Sequence, residues 1–198
     1  STSLQKMLQQ ALALHQAEQL TGAEKLYREI LAKQPQHGET LLLLAQLLVS
    51  SGQATKSLQL LQRNAHVNAA HPVARFNLGM AFLEMLRFEE ALKEFQQAVV
   101  LFPDYPEAWS NRGIALQKLE RHADAVSVFE QGLRYTPDHS TLQINLGISL
   151  QKTGRHTEAL ASFDKALQND PTNLALACNR LISLSALNRL EEGLTAMD

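Results

Sequence analysis

Four asparagines, Asn77, Asn111, Asn145 and Asn179, stand at intervals of 34 residues in a chain of 198. A carboxamide donates and accepts hydrogen bonds at once, so a row of them suits a peptide backbone of any sequence. The alternative is that each amide packs locally. Lys118 and Lys152 repeat at the same interval, each closing a Leu-Gln-Lys triplet. They either give a groove a preference for acidic ligands or complement the C-termini of their own helices. The seven histidines include His37, His71 and His139 at one phase of the interval and His122 and His156 at another. Packed helices lie about 8–10 Å apart and Zn–N bonds are about 2.0–2.1 Å, so histidines one interval apart would not share a metal. No glycine-rich phosphate loop, HExxH, GxSxG or paired-cysteine spacing occurs, and the lone Cys178 has no evident base beside it. These residues point to binding without catalysis: no enzyme activity, no metal and no cofactor is expected.

Composition narrows the partners. The chain is 45% hydrophobic but only 6% aromatic, so many small contacts must build its core. A net charge of -2, with both signs scattered, excludes a phosphate-binding surface and makes nucleic acid an unexpected partner. No apolar run approaches the ~20 residues that cross a bilayer, so no membrane insertion is expected. One cysteine fits a reducing compartment, hence a cytoplasmic location, unless a targeting signal has been removed ahead of Ser1.

The elements that would position these side chains follow from the same interval. Gly79, Gly113 and Gly147 are each 34 residues apart, and Pro35, Pro103, Pro137 and Pro171 keep that phase, with Ala69 where one is missing. The register divides the chain without a gap into units 4–37, 38–71, 72–105, 106–139, 140–173 and a truncated 174–198. The eighth column reads Ala11, Ala45, Gly79, Gly113, Gly147, Leu181 and the twentieth Ala23, Ser57, Ala91, Ala125, Ala159, Gly193. The twenty-fourth supplies large knobs: Tyr27, Leu61, Phe95, Phe129, Phe163, Met197. Small residues on one segment facing large ones on another, each with a 3.6-residue apolar period, predict two packed helices per unit. Breakers such as Ser51-Gly52 and Gly154-Arg155 separate the halves, and proline closes the second helix.

This small-large-small pattern with its closing proline resembles the tetratricopeptide repeat family over essentially the whole chain. The resemblance implies an all-α, right-handed superhelical solenoid of about six helix-turn-helix repeats, with the first helix of each pair lining a concave face. Stacked pairs related by a constant rotation generate such an extended groove in any case. Trp109 alone keeps the aromatic of the fourth column, and Asn64 and Ala69 stand where alanine and proline are usual. The stretch 63–71 is therefore expected to be the least regular joint. The asparagine column resembles the ladder of the O-linked N-acetylglucosamine transferase superhelix, although Gln9 and Leu43 break it in the first two units.

Four amide-to-backbone bonds would contribute roughly 2–6 kcal/mol, against about 4–15 kcal/mol for association and ordering. The ninth column offers more: Leu12, Met80, Ile114, Ile148 and Ile182, interrupted by Gln46, with Phe76 and Ile144 beside them. They form either an apolar strip along the groove or part of the packing between repeats. The chaperone-binding members of the family use Lys and Asn at the fifth and ninth columns to clamp two carboxylates, and the apolar residues here do not suit that ligand. The expected function is a scaffold holding an extended peptide segment of a partner protein. A second reading is the substrate-recruiting arm of a larger enzyme, such as a bacterial glycosyltransferase or sulfotransferase. Leu190, Leu194 and Met197 are expected to be covered by further chain or by self-association, because a solenoid needs a polar cap.

Overall fold

The computed structural model describes residues 3–189, so the expectation for Leu190, Leu194 and Met197 lies outside the described residues. The described chain is helical throughout, without strands. In order, the helices are α1 (Ser3–Gln16), α2 (Leu20–Lys33), α3 (Gly38–Ser50), α4 (Ala54–Val67), α5 (Pro72–Glu84), α6 (Phe88–Leu101), α7 (Pro106–Lys118), α8 (His122–Tyr135), α9 (Ser140–Lys152), α10 (His156–Asn169) and α11 (Leu174–Ala186). They divide into two compact units, the first ending at Leu86 and the second beginning at Arg87. In the first, α1 pairs with α2 and α3 with α4, while α2 packs on α3 and α4 on α5. In the second, α7 pairs with α8 and α9 with α10, α6 packs on α7, α8 on α9 and α10 on α11.

Each first helix ends the same way. Glu18, Gly52, Leu86, Glu120, Gly154 and Asn188, one per interval, all have positive φ, between 57° and 76°. The left-handed residue folds the chain back so that the following N–H caps the helix just ended. Arg121 N reaches the Leu116 carbonyl at 2.9 Å and Arg155 N that of Leu150 at 2.8 Å. The starts of the first helices are also built in. Pro72 and Pro106 open α5 and α7 where a missing N–H costs nothing. His37 Nδ1, His139 Nδ1 and Asn173 Oδ1 accept the N–H of Thr40, Leu142 and Leu176. Of the junction histidines, His37 and His139 thus serve as helix caps, a role their loop position alone did not suggest, while His71 makes no such bond.

Between paired helices the small columns meet the large one. Ala23, Ala91, Ala125 and Ala159 are fully buried, as are Tyr27, Phe95, Phe129 and Phe163. A β-carbon on Gly147 would lie 2.5 Å from the Phe163 ring, and one on Gly113 would overlap the ring of Phe129. Glycine is there because the ring occupies the space, and each such side chain contributes about 1.5–3 kcal/mol by burial. Tyr27 keeps its hydroxyl 3.2 Å from His15 Nδ1.

The stretch 63–71 is more regular than its sequence suggests. Helix α4 has the length and phase of the other second helices. Asn64 is buried and accepts from Asn68 Nδ2 at 2.5 Å, and that amide fills the space beside Gly38. The polar side chain has its partner, so the helix runs on as an alanine would allow.

Candidate functional site

In the second unit α9 packs directly on both α7 and α11. Fully buried Ala108, Ala115, Ser149 and Ser183 let the first helices approach one another. Two glutamines then fix their register. Gln117 Nε2 donates to the Asn145 carbonyl (3.2 Å) and Ser149 Oγ (2.8 Å). Gln151 Nε2 donates to the Asn179 carbonyl (2.7 Å) and Ser183 Oγ (2.7 Å). Each partly buried amide bridges two first helices at a place where an unmade bond costs about 1–3 kcal/mol. Sequence reasoning noticed only the lysine of each Leu-Gln-Lys triplet. The missed signal was a glutamine followed 32 residues later by a serine, twice.

This register sets Asn111, Asn145 and Asn179 at one place on three neighbouring helices. Asn111 Nδ2 donates to the Glu107 carbonyl one turn back (2.8 Å), and Asn145 Nδ2 reaches Ser110 Oγ on α7 (3.4 Å). Both amides therefore have local partners, yet a carboxamide has a second N–H and an acceptor oxygen besides. One helical turn away, Ile114 and Ile148 are partly buried and Ile182 is 56% exposed. Lys118 and Lys152 are the exposed last residues of α7 and α9.

The first unit carries the remaining residues on α5. Phe76, Asn77 and Met80 are partly buried. Asn77 and Met80 line a notch of about 200 Å³ between α3 and α5, with Ser57 and Leu61 of α4 beneath and Glu84 at its edge. Asn77 also borders a cavity of about 380 Å³ that includes His37, Asn64 and His71.

Charged residues gather instead at the turns. Arg87 and Arg155 start second helices and bind Glu90 and Glu158, holding both carboxyls below the usual range. Among the described residues, no three His, Cys, Asp or Glu side chains come together as a metal would require, and no helix is long and apolar enough to cross a membrane. Cys178 is an exposed free thiol.

Side-by-side helices that present repeated amides and aliphatic side chains define a helical-repeat protein-interaction scaffold. Tetratricopeptide repeat models match residues 14–70 and 111–173, and a TPR repeat model matches 87–120. The chain belongs to the tetratricopeptide repeat family. Solved structures share its fold. A tetratricopeptide repeat protein from Parabacteroides merdae is 16% identical, with a TM-score of 0.80 over 99% of this chain and 78% of its own. A MamA protein is 21% identical, with a TM-score of 0.76 over 85% and 92% of the two chains. YrrB, described as a TPR protein with an unusual peptide-binding site, is 17% identical, with a TM-score of 0.71 over 87% and 89%. No curated protein matches significantly.

Proposed function

We propose that the chain binds an extended segment of a partner protein against the faces of its first helices. The observation that carries this reading is the glutamine-pinned layer of α7, α9 and α11, which repeats one amide and one isoleucine on three adjacent helices. An extended backbone repeats its own donors and acceptors, so a repeated surface can meet it without reading its side chains. The amides confer register and the isoleucines most of the energy. Asn111 and Asn145 exchange existing local bonds on binding, which keeps their net gain small, whereas covering an exposed isoleucine such as Ile182 contributes up to about 1.5–3 kcal/mol. Lys118 and Lys152 favour acidic residues in the bound segment. On α5, Phe76, Asn77 and Met80 offer the same chemistry in the first unit. The peptide-binding site reported for YrrB supports a peptide ligand for this fold.

The test begins with a pull-down and peptide mapping to obtain a bound segment. Replacing Asn111 and Asn145 by Ala should weaken that segment by about 1–3 kcal/mol with helicity unchanged. Ile114→Ser with Ile148→Ser should cost at least as much. Lys118→Glu with Lys152→Glu should matter only for an acidic segment, and less at high salt. Affinity indifferent to all three pairs would place the partner elsewhere on the molecule.

A further inference from the structure

The seventh column of the repeat reads Gln10, Leu44, Leu78, Arg112, Leu146, Arg180, and its three leucines are buried. Two arginines therefore enter a position that three other repeats fill with core leucine. Arg180 is provided for, because its Nε lies 2.6 Å from Asp164 Oδ1 on α10. The residue in the corresponding place for Arg112, two repeats earlier on α6, is Gln96, which carries no charge. Arg112 Nε is buried without a hydrogen-bond partner. Its guanidinium is held over the ring of Trp109, 5.4 Å from the centroid, and burial pushes its pKa down from the usual value. A partly buried guanidinium with an idle, buried Nε–H is a costly arrangement unless something supplies the anion.

Space for it exists. Arg112 lines a cavity of about 690 Å³ between α6 and α8, floored by α7. The comparable groove between α8 and α10, where the seventh column is Leu146, measures about 250 Å³. The carboxylates at the mouth are already engaged: Glu90 by Arg87 at 2.5 Å, Asp124 by Arg121 at 2.8 Å, and Glu89 by Arg121 at 3.8 Å.

We propose that this cavity receives an aspartate or glutamate side chain of a partner protein, whose carboxylate takes the place beside Arg112 that Asp164 holds beside Arg180. A side chain suits it better than a free anion. Its lining balances Glu89, Glu90 and Asp124 against Lys93, Arg112 and Arg121 and gives a small dianion no net attraction, whereas Gln96, Gln97 and Gln131 in the wall can bind the backbone that brings a single carboxylate in. The cavity opens between second helices, while the asparagines lie on the first, so this site stands or falls independently of the peptide-binding reading.

The test uses protein labelled at arginine Nε and two probes, acetyl-Gly-Glu-Gly-amide and its Gln counterpart. The Arg112 Nε–H resonance should shift saturably with the Glu peptide and bind the Gln peptide about tenfold more weakly or worse, while the Arg180 resonance stays in place. Gln96→Asp, which installs the missing counter-ion, should abolish the response and raise the melting temperature. Arg112→Leu should lose heat of binding to the Glu peptide in calorimetry while staying folded, since leucine already fills this column at three positions. Equal affinity for both peptides, or binding that survives Gln96→Asp, would overturn the proposal. So would sodium glutarate binding as tightly as the Glu peptide, which would mark a site for free anions.

Discussion

Glu18 occupies a left-handed conformation that costs a non-glycine residue roughly 1–2 kcal/mol, and its counterpart Gly154 occupies the same conformation at no steric cost. Against this stands the greater chain entropy that glycine loses on folding. Glu18→Gly should therefore stabilise the protein by about 0.5–1 kcal/mol, and Gly154→Ala should destabilise it by a similar amount, both read from denaturant midpoints. A β-carbon at Gly154 would meet nothing within 4 Å, so the second substitution isolates backbone strain from packing. Asn111 makes a different point about single residues. Its spacing was visible in the sequence, but its amide folding back onto the Glu107 carbonyl was not, because a rotamer depends on neighbours that spacing does not name.

At the scale of the helix pair, glycine and phenylalanine behave as one object. Gly147→Ala gains about 1 kcal/mol of helix propensity but drives a methyl into Phe163, and the net cost should be about 1–3 kcal/mol. Adding Phe163→Leu should recover part of that loss, because Ala45 and Leu61 already make this combination in the second repeat. A double-mutant cycle with no coupling would contradict the packing described. This level of the fold was the most legible in the sequence, since size alternation at fixed columns is a statement about two surfaces in contact. The glutamine bridges were less so, because they join residues 32 positions apart through an approach of first helices that only the folded chain creates. Gln151→Ala should thus cost about 1–3 kcal/mol despite lying outside every size column, taking the donor from Ser183 Oγ and leaving the Asn179 carbonyl only its helical bond.

For the molecule as a whole, helices pack within one repeat or between adjacent repeats, with α9 touching α7, α8, α10 and α11. Such a chain has no central core whose loss is felt everywhere. A chain ending at Asn173 should keep the helicity per residue of the remainder, and its denaturant m-value should fall with the area no longer exposed. Loss of all helical signal on that truncation would show a single cooperative block instead.

Trp109 is the only tryptophan in the protein, and its indole is fastened on several sides. Nε1–H donates to the Pro103 carbonyl at 2.8 Å, Tyr135 stacks on the ring at 14° with centroids 6.1 Å apart, and Arg112 covers it. Emission excited at long wavelength therefore comes from one joint, where α6, α7 and α8 meet, while ellipticity averages over every helix. The two optical signals sample different lengths of the same chain. Where they melt together the helices share one transition, and where the emission shifts first or last the difference in midpoint measures how far that joint's stability departs from the average.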